Sequence, residues 1–277
     1  MDSIVLINGQ EQSDISIYNR NVQYGDGLFE TCVAKDNQIL FWEKHLLRLE
    51  EGCDRLKIKK IEESTWLKDI KKAFGLSAHK NCVIKLILSR GNSQRGYSYP
   101  SEIKPVRVVI LSEMKKTLEK KSFSLEYAQS GYYSNPNLAG IKHCNRIEQI
   151  LARATLKEDE AIMLDENQNI ISVTQGNIYF IFAQKLLTPK LDRCGVIGSR
   201  RSLILEIAKS IDLNVEERNI SMTDVKNADE VFISNSIIGI QSVSSIENHQ
   251  LPNRFLTDKI KAAFESETQD IKSWTCV

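Results

Sequence analysis

Two apolar runs constrain what this chain can fold into more than any other feature. Val83 to Leu88 and Val106 to Leu111 are short, apolar and rich in β-branched residues, so both read as buried strands. The polar, glycine-containing stretch Arg90 to Lys104 between them is a long loop, and long loops in compact domains are more often functional than idle. Upstream, Ser3 to Asn8 ends in the turn signal Asn8-Gly9, and Asp14 to Tyr18 alternates apolar and polar, which predicts a hairpin. Gly25-Asp26-Gly27 permits a tight backbone, and Leu28 to Ala34 and Gln38 to Trp42 flank Lys35-Asp36-Asn37 as a second hairpin. From Glu43 the apolar period changes to threes and fours, with Leu46, Leu49, Cys53 and Leu56 on one helix face. Trp66, Ile70 and Phe74 predict another helix ending at Gly75.

In the second half, Ile147, Ile150, Leu151 and Ala154 recur at helical spacing and predict a helix with one buried face. Pro136, Asn137 and Gly140 precede it as breakers, which puts Lys142 at the junction where the helix begins. A lysine there sits near the positive end of the helix dipole, which favours the neutral amine that nucleophilic chemistry needs. Ala161 to Leu164 and Ile170 to Val173 flank the Asp165 to Asn169 turn, and Ile178 to Ala183 continues the β pattern. Gly195 to Ser199 leads into a helix lined by Leu203, Ile207 and Ile211, and glycine before a helix start suits a phosphate cradle. Leu213 to Ile220 and Glu230 to Ser234 are further strands, and Leu256 to Phe264 a closing helix. The pattern is α/β in two halves, read as residues 1–115, a connection at 116–136, and a larger half at 137–277.

A formal charge of +1 over 277 residues gives no reason to expect nucleic acid or an acidic surface as partner. No apolar run approaches the ~18 residues of a membrane span, and Ile4 to Ile7 is too short for a signal core. The expected compartment is the cytoplasm. The six cysteines, Cys32, Cys53, Cys82, Cys144, Cys194 and Cys276, form no CxxC pair and no close spacing with histidine, so no metal site is suggested and reduced thiols are expected. Cys144, two residues after Lys142, is expected to be a small packed cysteine and not a nucleophile.

The strings GIKHCNRIEQ around Lys142, YGDGLFET at Tyr24 to Thr31 and SRGNSQRGYS at Ser89 to Ser98 resemble the fold-type-IV pyridoxal-phosphate enzymes. Within them the chain is most similar to the aminodeoxychorismate lyases, in order from Ile4 to about Val243. The resemblance implies two α/β domains, small then large, of the D-amino acid aminotransferase type, with pyridoxal 5′-phosphate where they meet. It makes Lys142 the residue that holds the cofactor aldehyde and Arg48, in His45-Leu46-Leu47-Arg48-Leu49, a phosphate ligand. The amides of Ser199 and Arg200 after Gly198, and the Ser236 hydroxyl, match the family's phosphate loop. Arg146 falls near the cofactor's phenolic side. Thr31 and Asn177 fall among substrate-binding positions, and Arg95 and Tyr97 match residues placed at a neighbouring subunit's active site, which implies a homodimer. The implied reaction is elimination of pyruvate from the small molecule 4-amino-4-deoxychorismate, giving 4-aminobenzoate for folate. The alternatives are an aminotransferase for D-amino or branched-chain amino acids, and a non-catalytic relative.

The match breaks at one position. Relatives carry glutamate, four residues, then Asn-aliphatic-aromatic, and the glutamate keeps the pyridine nitrogen protonated. In IISVTQGNIYF, Asn177-Ile178-Tyr179 fits the second part, but the glutamate's position is Ser172. A hydroxyl lacks the charge that raises the nitrogen's pKa. Either a carboxylate arrives from elsewhere, or the reaction tolerates a weaker electron sink, or catalysis is impaired.

Overall fold

The computed structural model describes residues 3–115 and 120–277. The chain divides into two compact units, one of residues 1–116, 141–145 and 271–277, the other of residues 117–140 and 146–270. Among the described residues the first unit is built on a seven-stranded sheet in the order Trp274–Cys276, Gln38–Leu40, Gly27–Lys35, Asn81–Ser89, Val106–Glu113, Ile4–Ile7, Gln10–Glu11. Every neighbouring pair is antiparallel. The two runs that constrained the sequence are adjacent central strands, paired from Cys82 with Glu113 to Ser89 with Val106.

Strand Gly27–Lys35 shows how one face is covered. Leu28, Glu30, Cys32 and Ala34 are buried, while Phe29, Thr31 and Val33 are half-buried, the period of two of a sheet with unlike faces. Helix Trp42–Leu56 lies on the buried face, and it approaches so closely at Gly52 that an added Cβ would stand 2.7 Å from the Leu28 side chain. The hairpin turn at Asp36 and Asn37 has φ of 48° and 61°, the left-handed pair that a two-residue turn requires.

The second unit carries a sheet in the order Asn214–Arg218, Lys185–Pro189, Asn177–Phe182, Glu230–Asn235, Gly239–Ile246, Phe123–Tyr127, Glu160–Leu164, Asn169–Val173, Ile220–Ser221. The amide of Val173 donates to the Gly176 carbonyl at 3.1 Å, so strand Asn169–Val173 returns to the start of Asn177–Phe182 and the sheet curls toward closure. Leu125, Ile162, Ile178, Phe180, Val231 and Ile233 pack in its core, each worth about 1.5–3 kcal/mol of buried apolar surface.

Several sequence expectations need correction. Asp14 to Tyr18 is exposed and forms no strand, because both edges of Ile4–Ile7 are taken by Gln10–Glu11 and Val106–Glu113. Trp42 begins the helix and does not end the preceding strand. The helix expected just after Lys142 spans Ile147–Ala154, and its buried residues are Gln149 and Ala152. Ile147, Ile150 and Leu151 are 64%, 60% and 56% exposed: the spacing put them on one face but did not say that the fold covers it. Residues 116–136, read as a connection, contain the strand Phe123–Tyr127, and Lys116 to Glu119 lie outside the described residues.

Candidate active site

Lys142 stands on an extended segment held by backbone pairing, five residues before the helix. The Phe29 amide donates to the Lys142 carbonyl at 3.0 Å, and the Cys144 amide to the Gly27 carbonyl at 2.8 Å. No helix terminus therefore acts on the lysine. Its Nζ lies over the Phe29 ring, 4.5 Å from the centroid, and the Lys85 ammonium approaches the same ring at 5.4 Å. Lys85 is directly opposite Thr31 in the ladder, so Phe29, Thr31 and Lys85 share the half-buried face. Two cations and a hydroxyl gathered there suit an anionic substrate.

Arg48 occupies the opposite, covered side of the strand. Its Nε donates to Glu30 Oε1 at 2.7 Å and its Nη2 to Glu30 Oε2 at 2.6 Å, while His45 Nδ1 donates to Oε2 at 2.6 Å. Burial pushes the Glu30 carboxyl up, but the charge of Arg48 and the bonds from His45 and Arg48 outweigh it and bring it down from 4.5 to about 2. Arg48, the phosphate ligand suggested by the sequence, is thus held in a forked pair with a buried carboxylate.

The loop bearing Arg95 and Tyr97 is organised by Arg20, which the sequence reading missed. Arg20 is 3% exposed. Its Nε donates to Asp26 Oδ2 at 2.8 Å, Nη1 to Ser93 Oγ and the Gly96 carbonyl at 3.0 Å, and Nη2 to the Tyr97 carbonyl at 3.0 Å. Arg90 donates to both Asp26 oxygens, and its guanidinium stacks 4.1 Å from the Tyr99 centroid. Burial pushes Asp26 up, yet Arg90 and Arg20 hold it below the ordinary carboxylate range. The loop is therefore tied at its base while Arg95 is exposed and Tyr97 is 86% exposed at its tip.

In the second unit, Asn177 clamps the loop before helix Arg201–Ser210. Its Nδ2 donates to the Val196 carbonyl at 2.9 Å and its Oδ1 accepts from the Gly198 amide at 2.8 Å. An added Cβ on Gly198 would meet that oxygen at 2.3 Å, so only glycine fits. Asn177 pairs with Ser234 on the neighbouring strand, which puts the clamp and Ser236 at the same end of the sheet. Ser199 and Ser236 are half-buried, and among the described residues neither their amides nor their hydroxyls have a hydrogen-bond partner. Arg200 is 2% exposed. Open donors beside a helix start fit a phosphate, and Asn177 serves here as the brace of that loop.

Ser172 is 3% exposed, and its Oγ lies 3.1 Å from the hydroxyl of Tyr132, which is 6% exposed. The same Oγ donates to the Val173 carbonyl at 2.8 Å. Burial raises the Tyr132 phenol, and the polar groups of Ser172 and Gln149 and the charge of Arg146 oppose this without cancelling it. Arg146 is the half-buried N-cap of helix Ile147–Ala154. The buried carboxylate Glu160 is committed to Thr174, to Arg153 at 3.2 Å and to the Ala161 amide, so it does not substitute for the missing glutamate. Nothing local marks Tyr132 in the sequence, since it meets Ser172 from 40 residues away. Arg20 and Glu30, by contrast, flank or lie within YGDGLFET, where a charged residue calls for a partner.

The family model described as Amino-transferase class IV matches residues 27–246. An aminodeoxychorismate lyase from Vibrio harveyi is 33% identical over 251 residues, covering 87% of this chain and 90% of that protein. Among solved structures, 4-amino-4-deoxychorismate lyase from Pseudomonas aeruginosa superposes with a TM-score of 0.90 and 33% identity, over 95% of this chain and 98% of that one. A branched-chain amino acid aminotransferase complexed with N-(5′-phosphopyridoxyl)-L-glutamate, its source abbreviated T.th., shares the fold at a TM-score of 0.88 and 18% identity, over 99% and 98% of the two chains.

Proposed function

Because the chain belongs to the class IV amino-transferase family, we propose that it is a pyridoxal-phosphate-dependent lyase that releases pyruvate from 4-amino-4-deoxychorismate and leaves 4-aminobenzoate. Bound pyridoxal phosphate would supply an aldehyde for amines and a ring that accepts electrons. Ser199 and Ser236 offer the phosphate their open donors, with Gly198 and Asn177 fixing the loop. Arg48, braced by Glu30, adds positive charge for the same anion, and Arg146 is assigned to the phenolic oxygen. Lys142 holds the aldehyde, is displaced by the substrate amine, takes the proton from the carbon bearing that amine, and returns it to the enolpyruvyl methylene. Thr31, Arg95 and Tyr97 orient the substrate.

The observation that carries the reading is the gathering of Lys142 and Lys85 on the Phe29 ring, on the face that bears Thr31. A substrate with two carboxylates and one amine matches two cations, one of which exchanges with the amine. The exposed apolar face of Ile147, Ile150 and Leu151, with Tyr133 79% exposed, supports a homodimer, because a patch of that kind is normally covered. No helix among the described residues is long and apolar enough to cross a membrane.

Purified protein given pyridoxal phosphate and freshly made aminodeoxychorismate tests the reading through coupled pyruvate detection. Pyruvate with matching 4-aminobenzoate, abolished in Lys142→Ala, supports it. Cofactor bound on Lys142 with no pyruvate, together with amino-group transfer from D-alanine or leucine, would replace it with the aminotransferase reading that the family description allows. Bound cofactor with neither product would leave a non-catalytic relative.

A further inference from the structure

We propose that Tyr132 and Ser172 form an uncharged seat for the cofactor's pyridine nitrogen, which therefore stays unprotonated, and that this seat favours elimination over amino-group transfer. The proposal rests on the pyridoxal-phosphate reading above. The two hydroxyls are buried and 3.1 Å apart. With the phenol donating to Ser172 Oγ, the serine proton is the one left to give, and a single torsion moves it from the Val173 carbonyl to another acceptor. Gln149 is 7% exposed and borders the phenol, and neither its amide oxygen nor its nitrogen reaches a partner at hydrogen-bonding distance. A buried polar side chain left in that state points to a ligand that completes the cluster.

The charges around the pair argue the same way. Arg146 acts on Tyr132 as a positive neighbour. Glu148 accepts from the Tyr133 amide at 3.2 Å. Glu160 is held by Arg153 and Thr174, and Asp165 by the amides of Asn167 and Asn169. Among the described residues no carboxylate bonds to Ser172 or Tyr132. A buried pyridinium needs an opposite charge to persist; here desolvation and Arg146 both favour the neutral ring.

The chemical consequence is selective. In amino-group transfer the electron pair released by the breaking C–H bond must be stored in the cofactor ring before the proton is returned there. In the elimination that pair forms the new double bond of the product ring as the C–O bond to the enolpyruvyl group breaks. The departing enol takes a proton and becomes pyruvate, and aromaticity replaces the electron sink.

The test is nitrogen-15 NMR of holoenzyme reconstituted with ring-labelled cofactor, comparing wild type, Ser172→Glu and Tyr132→Phe. The expected wild-type resonance is that of an unprotonated, hydrogen-bonded nitrogen. Ser172→Glu moves it to the protonated position, and Tyr132→Phe, which removes only a hydroxyl, moves it toward the unbonded free base. In parallel, alanine gives its amino group to the cofactor aldehyde and leaves as pyruvate; Ser172→Glu should raise the rate of this conversion roughly tenfold or more, the effect of a gain of one or more pKa units. A protonated wild-type nitrogen, or a resonance that Tyr132→Phe leaves unmoved, overturns the uncharged seat while the lyase reading stands. Failure of Lys142 to trap the cofactor under borohydride removes both.

Discussion

Replacing Glu30 by glutamine gives a prediction whose size follows from the structure. Glu30 is 1% exposed and accepts from Arg48 at 2.7 and 2.6 Å and from His45 at 2.6 Å. A fall of its carboxyl from 4.5 to about 2 corresponds to ~3 kcal/mol of stability at neutral pH. Glutamine keeps the shape but leaves Arg48 and His45 facing a neutral oxygen, and breaking a buried pair in this way costs about 3–5 kcal/mol. Because the folded value lies below the unfolded one, the wild-type contribution is complete above pH 4.5 and is lost as the pH falls toward 2. The gap between wild type and Glu30→Gln should therefore close by about 1 kcal/mol at pH 4 and about 2 kcal/mol at pH 3. Urea denaturation followed by tryptophan fluorescence reads the right unit, since Trp42, Trp66 and Trp274, all three tryptophans, lie in the first one. A gap under about 1 kcal/mol at pH 7, or one that stays constant from pH 7 to pH 3, would refute the charged-network account.

Three further outcomes follow from the geometry. Arg20→Leu strips the ties from Ser93, Gly96 and Tyr97 but leaves Asp26 with Arg90, so it should cost about 2–3 kcal/mol and speed tryptic cleavage at Arg95. Gly198→Ala forces a Cβ to within 2.3 Å of Asn177 Oδ1 and should weaken pyridoxal-phosphate binding by roughly tenfold or more, read by fluorescence titration, with the urea midpoint little changed. Ile150→Glu combined with Leu151→Glu places charge on the exposed helix face and should shift the sedimentation of the protein from dimer to monomer.

What the sequence determined was local periodicity and the residues that bear chemistry. The strands Asn81–Ser89 and Val106–Glu113, the hairpin around Asp36 and Asn37, and the helices containing Leu49, Trp66 and Ile207 were legible because alternation and helical spacing are properties of neighbouring residues. The three strings around Lys142, Thr31 and Arg95 pointed to the family, and the family model covers most of the chain. Tertiary structure alone decided what each face meets. Ile147, Ile150 and Leu151 share a face, as their spacing required, but no part of the chain covers it. Lys142 takes its setting from pairing with Gly27 and Phe29 and not from a helix terminus. Arg48 is claimed by Glu30, and Ser172 by a tyrosine 40 residues away. Such contacts depend on how strands distant in sequence come into register, a cooperative choice made by the whole core, and no window of neighbouring residues contains it.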